Sequence, residues 1–179
     1  MTWTSPMTAV ANSVFSAAQF NTYVRDNLNE TAPAKATSDA QFFVSTGANA
    51  IAARQLRSAT VTTNQTTAST SYADLSTVGP SISVATGSRA MVMFASDIDN
   101  TVTNGASSVS VAVSGASSIS ASNAWRICRD GVASTNVQRY GVAHLFDTLN
   151  TGTNTFTMRY VVGSGTGSFA NRELLVLPF

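Results

Sequence analysis

The stretch TFTMRYVV, residues 155–162, decides how this chain is read. Phe156, Met158, Tyr160 and Val162 alternate with Thr155, Thr157 and Arg159. An extended backbone therefore sends the large apolar groups to one face and the polar groups to the other. Ser108, Ser110 and Ala112 alternate with Val109, Val111 and Val113 in the same way. Such period-two runs mark half-buried β-strands.

Outward from these two stretches the pattern predicts further strands. They fall near 57–63, 70–77, 81–85, 89–97, 123–129, 137–146 and 170–178, with the first two stretches at 108–114 and 154–162. The turn-rich runs NTVTNGAS, DGVASTN, NTGTN and GSGTGS separate several of them. Ala90 to Phe94 is apolar at every position, the pattern of a strand buried on both faces. Short strands in this number predict a mainly β fold, and the leading topology is a jelly-roll-like β-sandwich over residues 56–179.

The chain then finishes on SFANRELLVLPF, residues 168–179, an apolar ending to a Ser/Thr-rich sequence. An exposed apolar strand is an aggregation hazard, so something must cover it. Alternation counted back from the end puts Leu175, Leu177 and Phe179 inside the sandwich and turns Leu174 and Val176 outward. A neighbouring copy is the simplest cover, so a homotrimer is expected, with Leu174 and Val176 at its interface.

Residues 1–30 have a different character and read as an attachment arm. SAAQFNTYVRDNLN predicts a helix over about 16–29, with Ser16 and Gln19 forming a capping box. Phe20, Val24 and Leu28 follow at helical spacing with Tyr23 beside them, while Trp3 and Phe15 precede them. So short a helix needs a partner surface. Trp3, Phe15, Phe20, Tyr23, Val24 and Leu28 are the expected anchors on that partner. Residues 31–55 read as a connector, in which Phe42–Val44 is a short strand and Thr46-Gly47-Ala48-Asn49 a turn.

Composition removes several functions. Charged residues are 11% of the chain and the net charge is +1. Lys35 is the only lysine and no basic cluster occurs, so no nucleic-acid partner is expected. No run approaches the roughly 20 apolar residues of a membrane helix, and no membrane partner is expected. The start MTWTSPMTAV lacks the basic and apolar blocks of a signal peptide, so the protein is expected to stay in the cytoplasm or to leave by a route such as cell lysis. With one cysteine, Cys128, and one histidine, His144, intrachain disulfides are excluded and a Cys/His zinc site lacks ligands.

Two stretches carry a resemblance. TWTSPMTAVANSVFSAAQFNTYVRDNL resembles the N-terminal segment of small virion proteins of tailed phages infecting actinobacteria, with a Trp near the start, a capped AAQ-N and an RDNL ending. FFVSTGANAIAARQL resembles a connector of phage fibre and tail proteins. The resemblance implies a virion surface component of head fibre, decoration or minor tail type, trimeric, with the major capsid protein or another virion protein as partner.

No catalytic site is expected. His144 sits in the strand pattern YGVAHLFD, and no G-x-S-x-G elbow accompanies it. Strand alternation puts Cys128 beside Arg126 at most, and it reads as a small buried hydrophobe. Gly163, Gly165 and Gly167 in GSGTG are followed by no lysine and no helix, which excludes a phosphate loop. Asp97 and Asp99 form a D-x-D with oxygen ligands nearby, the candidate cation ligands, but lack the distal Glu of a calcium loop. No cofactor is expected. Two functions compete: a trimeric capsid decoration protein held by its arm, or a minor tail or tail-fibre protein whose β domain binds a receptor or glycan.

Overall fold

The structure, a computed structural model, describes residues 3–130 and 136–179. Most of the DGVASTN turn, residues 131–135, and Met1 and Thr2 of the arm lie outside the described residues. Two compact units divide at Gln55/Leu56.

In the first unit the helix predicted over 16–29 forms as three consecutive turns. They are Ala17–Phe20 (α), Asn21–Arg25 (π) and Asp26–Leu28 (α). Ser16 caps it: its hydroxyl accepts from the Gln19 N–H at 3.2 Å and its own N–H donates to the Gln19 side chain at 2.9 Å. A one-turn helix, Ala32–Lys35, follows with Pro33 in its first turn, where the missing N–H costs nothing. Strands β1 (Gln41–Gly47) and β2 (Ala50–Gln55) then form an antiparallel hairpin about the expected turn. Arm and connector belong to this one unit. The Trp3 N–H donates to the Asn49 carbonyl at 3.2 Å, and Lys35 pairs with Glu30 at 2.9 Å.

The second unit is a two-layer sandwich of β3 (Arg57–Val61), β4 (Gln65–Thr67), β5 (Ser81–Thr86), β6 (Ala90–Asn100), β7 (Ser107–Gly115), β8 (Ile127–Arg129), β9 (Gln138–Phe146), β10 (Gly152–Val162) and β11 (Gly167–Pro178). One sheet has the order β3-β11-β6-β9, with β4 also on β11; the other has the order β5-β10-β7-β8. With β3 and β5 through β11 counted as eight strands, the orders become 1-8-3-6 and 2-7-4-5. That is the interleaving of a jelly roll, in which the last strand lies inside a sheet. The mainly β, jelly-roll-like sandwich is thus the fold of this unit.

The core lies between the sheets. Val92, Phe94 and Ile98 of β6, Val109 and Val111 of β7, Phe156, Met158 and Tyr160 of β10, and Phe169, Leu174 and Val176 of β11 are buried in it. Each such side chain contributes on the order of 1.5–3 kcal/mol through lost apolar surface.

Three local expectations are corrected. Residues 70–77 form no strand; Ala73 alone exchanges two backbone hydrogen bonds with Tyr160, because Ser69 and Ser71 turn the chain just before it. Residues 123–125 form a 3₁₀ turn instead of strand, since Ser122 caps the Ala124 N–H and the Trp125 indole donates to the Val111 carbonyl. The third concerns Ala90–Phe94. Ala90, Val92 and Phe94 are buried, but Met93 is 39% exposed on the outer face, so this strand is covered on one side only within the chain.

Candidate functional site

Two surfaces stand out, one on each unit. On the first, the helix turns its apolar residues away from its own unit. Within the helix the polar Asn27 is the buried residue. Its amide oxygen accepts from the Thr4 N–H at 2.8 Å, and its amide nitrogen donates to the Thr4 carbonyl at 2.9 Å and the Tyr23 carbonyl at 3.1 Å. The arm is thereby pinned along the polar side of the helix. Phe15, Phe20 and Leu28 remain 51%, 49% and 61% exposed, with Phe15 edge-on to Phe20 at 6.2 Å between ring centroids. Trp3 is also exposed, whereas Tyr23 and Val24 are half-buried. The predicted anchor residues therefore split, with Phe15, Phe20 and Leu28 the most available.

The second surface is the outer face of the β3-β11-β6-β9 sheet. The sequence expectation for β11 is reversed here. Leu174 and Val176 are buried between the sheets, so neither can serve as an outward trimer contact; Leu175 and Leu177 face out. Alternation from Glu173 to Pro178 is regular, so it names two faces without saying which is inside; relative to Phe169 the facing is set by a bulge between Ala170 and Glu173 in the pairing with β6, where Asn171 adopts φ 45°. The extra residue shifts the alternation by one position.

Across this face Leu175 lies beside Met93, which lies beside Ala143; Leu177 lies beside Met91, which lies beside Leu145. Ala95 and Gly141 pair in the next row, and their small size leaves a shallow trough of about 620 Å³ bordered by Ser58, Thr60, Met93, Glu173 and Leu175. At one end Arg139 donates to Asp97 at 3.0 Å and to Glu173 at 2.7 Å. The Asn171 amide donates to Asp97 at 2.6 Å, and it and then Arg139 hold that carboxyl below its ordinary range. The charges on this rim are thus paired within the chain.

The D-x-D pair is occupied by arginines. Asp97 is bound as described, and Asp99 lies 3.3 Å from the buried guanidinium of Arg129. Among the described residues no group of three or more His, Cys, Asp or Glu side chains is placed to hold a metal. His144 stacks on Trp125 with ring centroids 5.0 Å apart and meets Phe146 edge-on. Burial pushes its pKa down, against a smaller opposite effect of Asp147. Cys128 is half-exposed and not buried as its residue type suggests, since Ile127 and Arg129 take the inward positions of β8.

Sequence reasoning missed Arg172, which is fully buried. Its guanidinium donates to the carbonyls of Gly79 (3.1 Å), Thr77 (3.3 Å) and Thr63 (3.3 Å) and to Gln65 (3.1 Å). It also lies 5.5 Å from the centroid of the Tyr160 ring. The Tyr160 hydroxyl donates to the Gly79 carbonyl, and burial pushes its pKa up to about 12. A charged residue inside a strand gives no signal of its facing; only its place two positions before Leu174 would have.

No protein-family model matches the sequence, and no curated protein matches it. Among solved structures, the infectious bursal disease virus VP2 subviral particle is similar with TM-score 0.45 and 11% identity, over 74% of this chain and 36% of that one. The Gt strain structure of the same virus gives TM-score 0.44 and the Gx strain structure 0.43, each at 11% identity over 74% of this chain. This chain spans about a third of the length of those chains, covering 35% and 36% of them.

Proposed function

We propose that this chain is a structural protein of a virus particle. In the finer reading it is a trimeric capsid decoration protein of a tailed phage, of cement or head-fibre type, anchored to the shell by its N-terminal unit. Two things support the reading: the resemblance of residues 2–28 to virion proteins of phages infecting actinobacteria, and the bare aromatic surface of that unit. The second carries most weight. The sandwich closes a core of its own, whereas Phe20 and Leu28 are presented to solvent from a helix too short to be stable without packing, with Phe15 exposed just before its cap. Aromatic side chains so placed are the usual anchors of an interface.

On this reading no residue of the chain is catalytic. His144 is a packed ring and Cys128 a strand residue, each hydrogen-bonded or stacked within the fold.

The test is attachment. Purified full-length protein is added to particles lacking it, and bound copies are counted after sedimentation. Wild type is expected to rebind in hundreds of copies, and Phe20→Ala to lose most of its binding while keeping its melting temperature. Binding in a few copies would favour the tail-fibre alternative, and undiminished binding of Phe20→Ala would overturn the role of the arm.

A further inference from the structure

The two outer faces of the sandwich are built differently. On the β5-β10-β7-β8 sheet the outward positions of β5 and the facing half of β10 are hydroxyls: Ser81 meets Thr157 at 2.8 Å and Ser83 meets Thr155 at 2.6 Å. Ser110, in the same sheet, is buried by the chain itself; its hydroxyl donates to the Ser122 carbonyl at 2.8 Å, and Tyr72 reaches the adjoining Asn123. The β3-β11-β6-β9 sheet carries Met91, Met93, Leu145, Leu175 and Leu177 at the equivalent outward positions. Met93 is 39% exposed and Leu145 42%. The hydroxyl face is thus partly covered by the chain's own residues, whereas Met93 and Leu145 on the other face are left exposed, which suits that face to a partner.

We infer that this face is where copies of the chain pack against one another, Met93 and Leu175 of one copy entering the trough of the next. The inference deepens the proposed function, resting on its trimeric reading for the number of copies, and names the surface.

Three observations choose a second copy over another occupant. The first is charge. Arg139 is paired with both Asp97 and Glu173 at one end, so no charge there is left unpaired, and the rows beyond carry Met, Leu and Ala; what fits is an apolar, charge-poor surface, which this face itself is. The second is size. Four strands and five outward rows, from Asp97 to the level of Phe179, span roughly 19 by 27 Å, about 500 Å² in projection, so two copies would bury about 1,000 Å² together, the low end of specific interfaces. The third is shape. The same face carries projecting, adaptable Met side chains and a trough floored by Ala95, Gly141 and Ala143, so knob and recess occur together. A surface holding both can close on itself by symmetry.

The test uses the full chain in analytical ultracentrifugation, with Met93→Lys, Leu175→Glu and, on the hydroxyl face, Thr155→Lys. Wild type and Thr155→Lys are expected to sediment as the same closed oligomer of three copies. Met93→Lys and Leu175→Glu are expected to sediment as monomers, at least tenfold weaker in self-association, with β-rich circular dichroism retained. As a second measurement, Ala143→Cys in a Cys128→Ser background is expected to form interchain disulfides on mild oxidation, which does not depend on the stability of the charge variants. A monomeric wild type, or charge variants that keep the wild-type mass, would overturn the inference. Failure here is separable from failure of the virion reading, because a monomeric wild type that still binds particles removes the interface and leaves attachment standing.

Discussion

Phe169 and Arg172 both point into the sandwich, although a spacing of three places two residues on opposite faces of a regular strand. The residue between them that absorbs the difference is Asn171, at φ 45°. Its N–H faces the Thr62 carbonyl in the interruption between β3 and β4, and its amide is held by Asp97. Everything beyond it, including which leucines meet water, follows from this one position.

Asn171 is therefore a position where backbone conformation outweighs contact. Asn171→Val should destabilise the sandwich by about 1–2 kcal/mol, the usual cost of left-handed backbone for such a residue. Asn171→Gly should cost less, losing only the bond to Asp97. Urea titration of the two variants checks the order.

Arg172 ties the segments at Thr63–Gln65 and Thr77–Gly79 to β11, and among the described residues no carboxylate pairs with it. Arg172→Ala should cost several kcal/mol, because the Thr63 and Thr77 carbonyls lose the donor, at about 1–3 kcal/mol for each buried acceptor left unpaired. Arg172→Lys should recover only part of it, because an ammonium cannot span both groups of carbonyls as a planar fork does. Chemical denaturation monitored by near-ultraviolet circular dichroism reads both.

His144 makes stability pH-dependent in a direction fixed by its surroundings. Burial against Trp125 and Phe146 lowers its pKa from the ordinary 6.5, so the unfolded chain binds the proton more readily than the native one. Stability should be full above pH 6.5 and fall as pH drops through that value, the loss levelling off below the lowered native pKa. In His144→Gln this part of the profile should be flat between pH 7 and 5. Melting temperatures across that range, compared between the two proteins, decide it.

Asn27 holds the segment before the helix by two hydrogen bonds to Thr4 and donates a third to Tyr23 in its own helix. Asn27→Ala should free residues 3–8, raising their amide exchange at least tenfold, while amides of β6 and β11 exchange as in wild type. Asn27→Asp keeps only the acceptor and should fall between. Hydrogen exchange read by mass spectrometry separates the three.

The sandwich was legible in the sequence because its signal is local: TFTMRYVV and SVSVAV need only period-two alternation to define an inward face. The capping box at Ser16 and the hairpin turn at Thr46–Asn49 were readable for the same reason, since cap and turn chemistry act over three or four residues. The facing of β11 was not. Alternation specifies two faces without saying which is inside, and a single bulge reverses the answer; only pairing with β6 on one side and β3 on the other set Leu174 inward and Leu175 outward. Nor could sequence reveal that Arg172 would be buried, because its acceptors come from segments about 95 and 109 positions away. Residue order determined the strands, the cap and the arm's apolar stripe; long-range backbone pairing decided which side of each strand became core and which became surface.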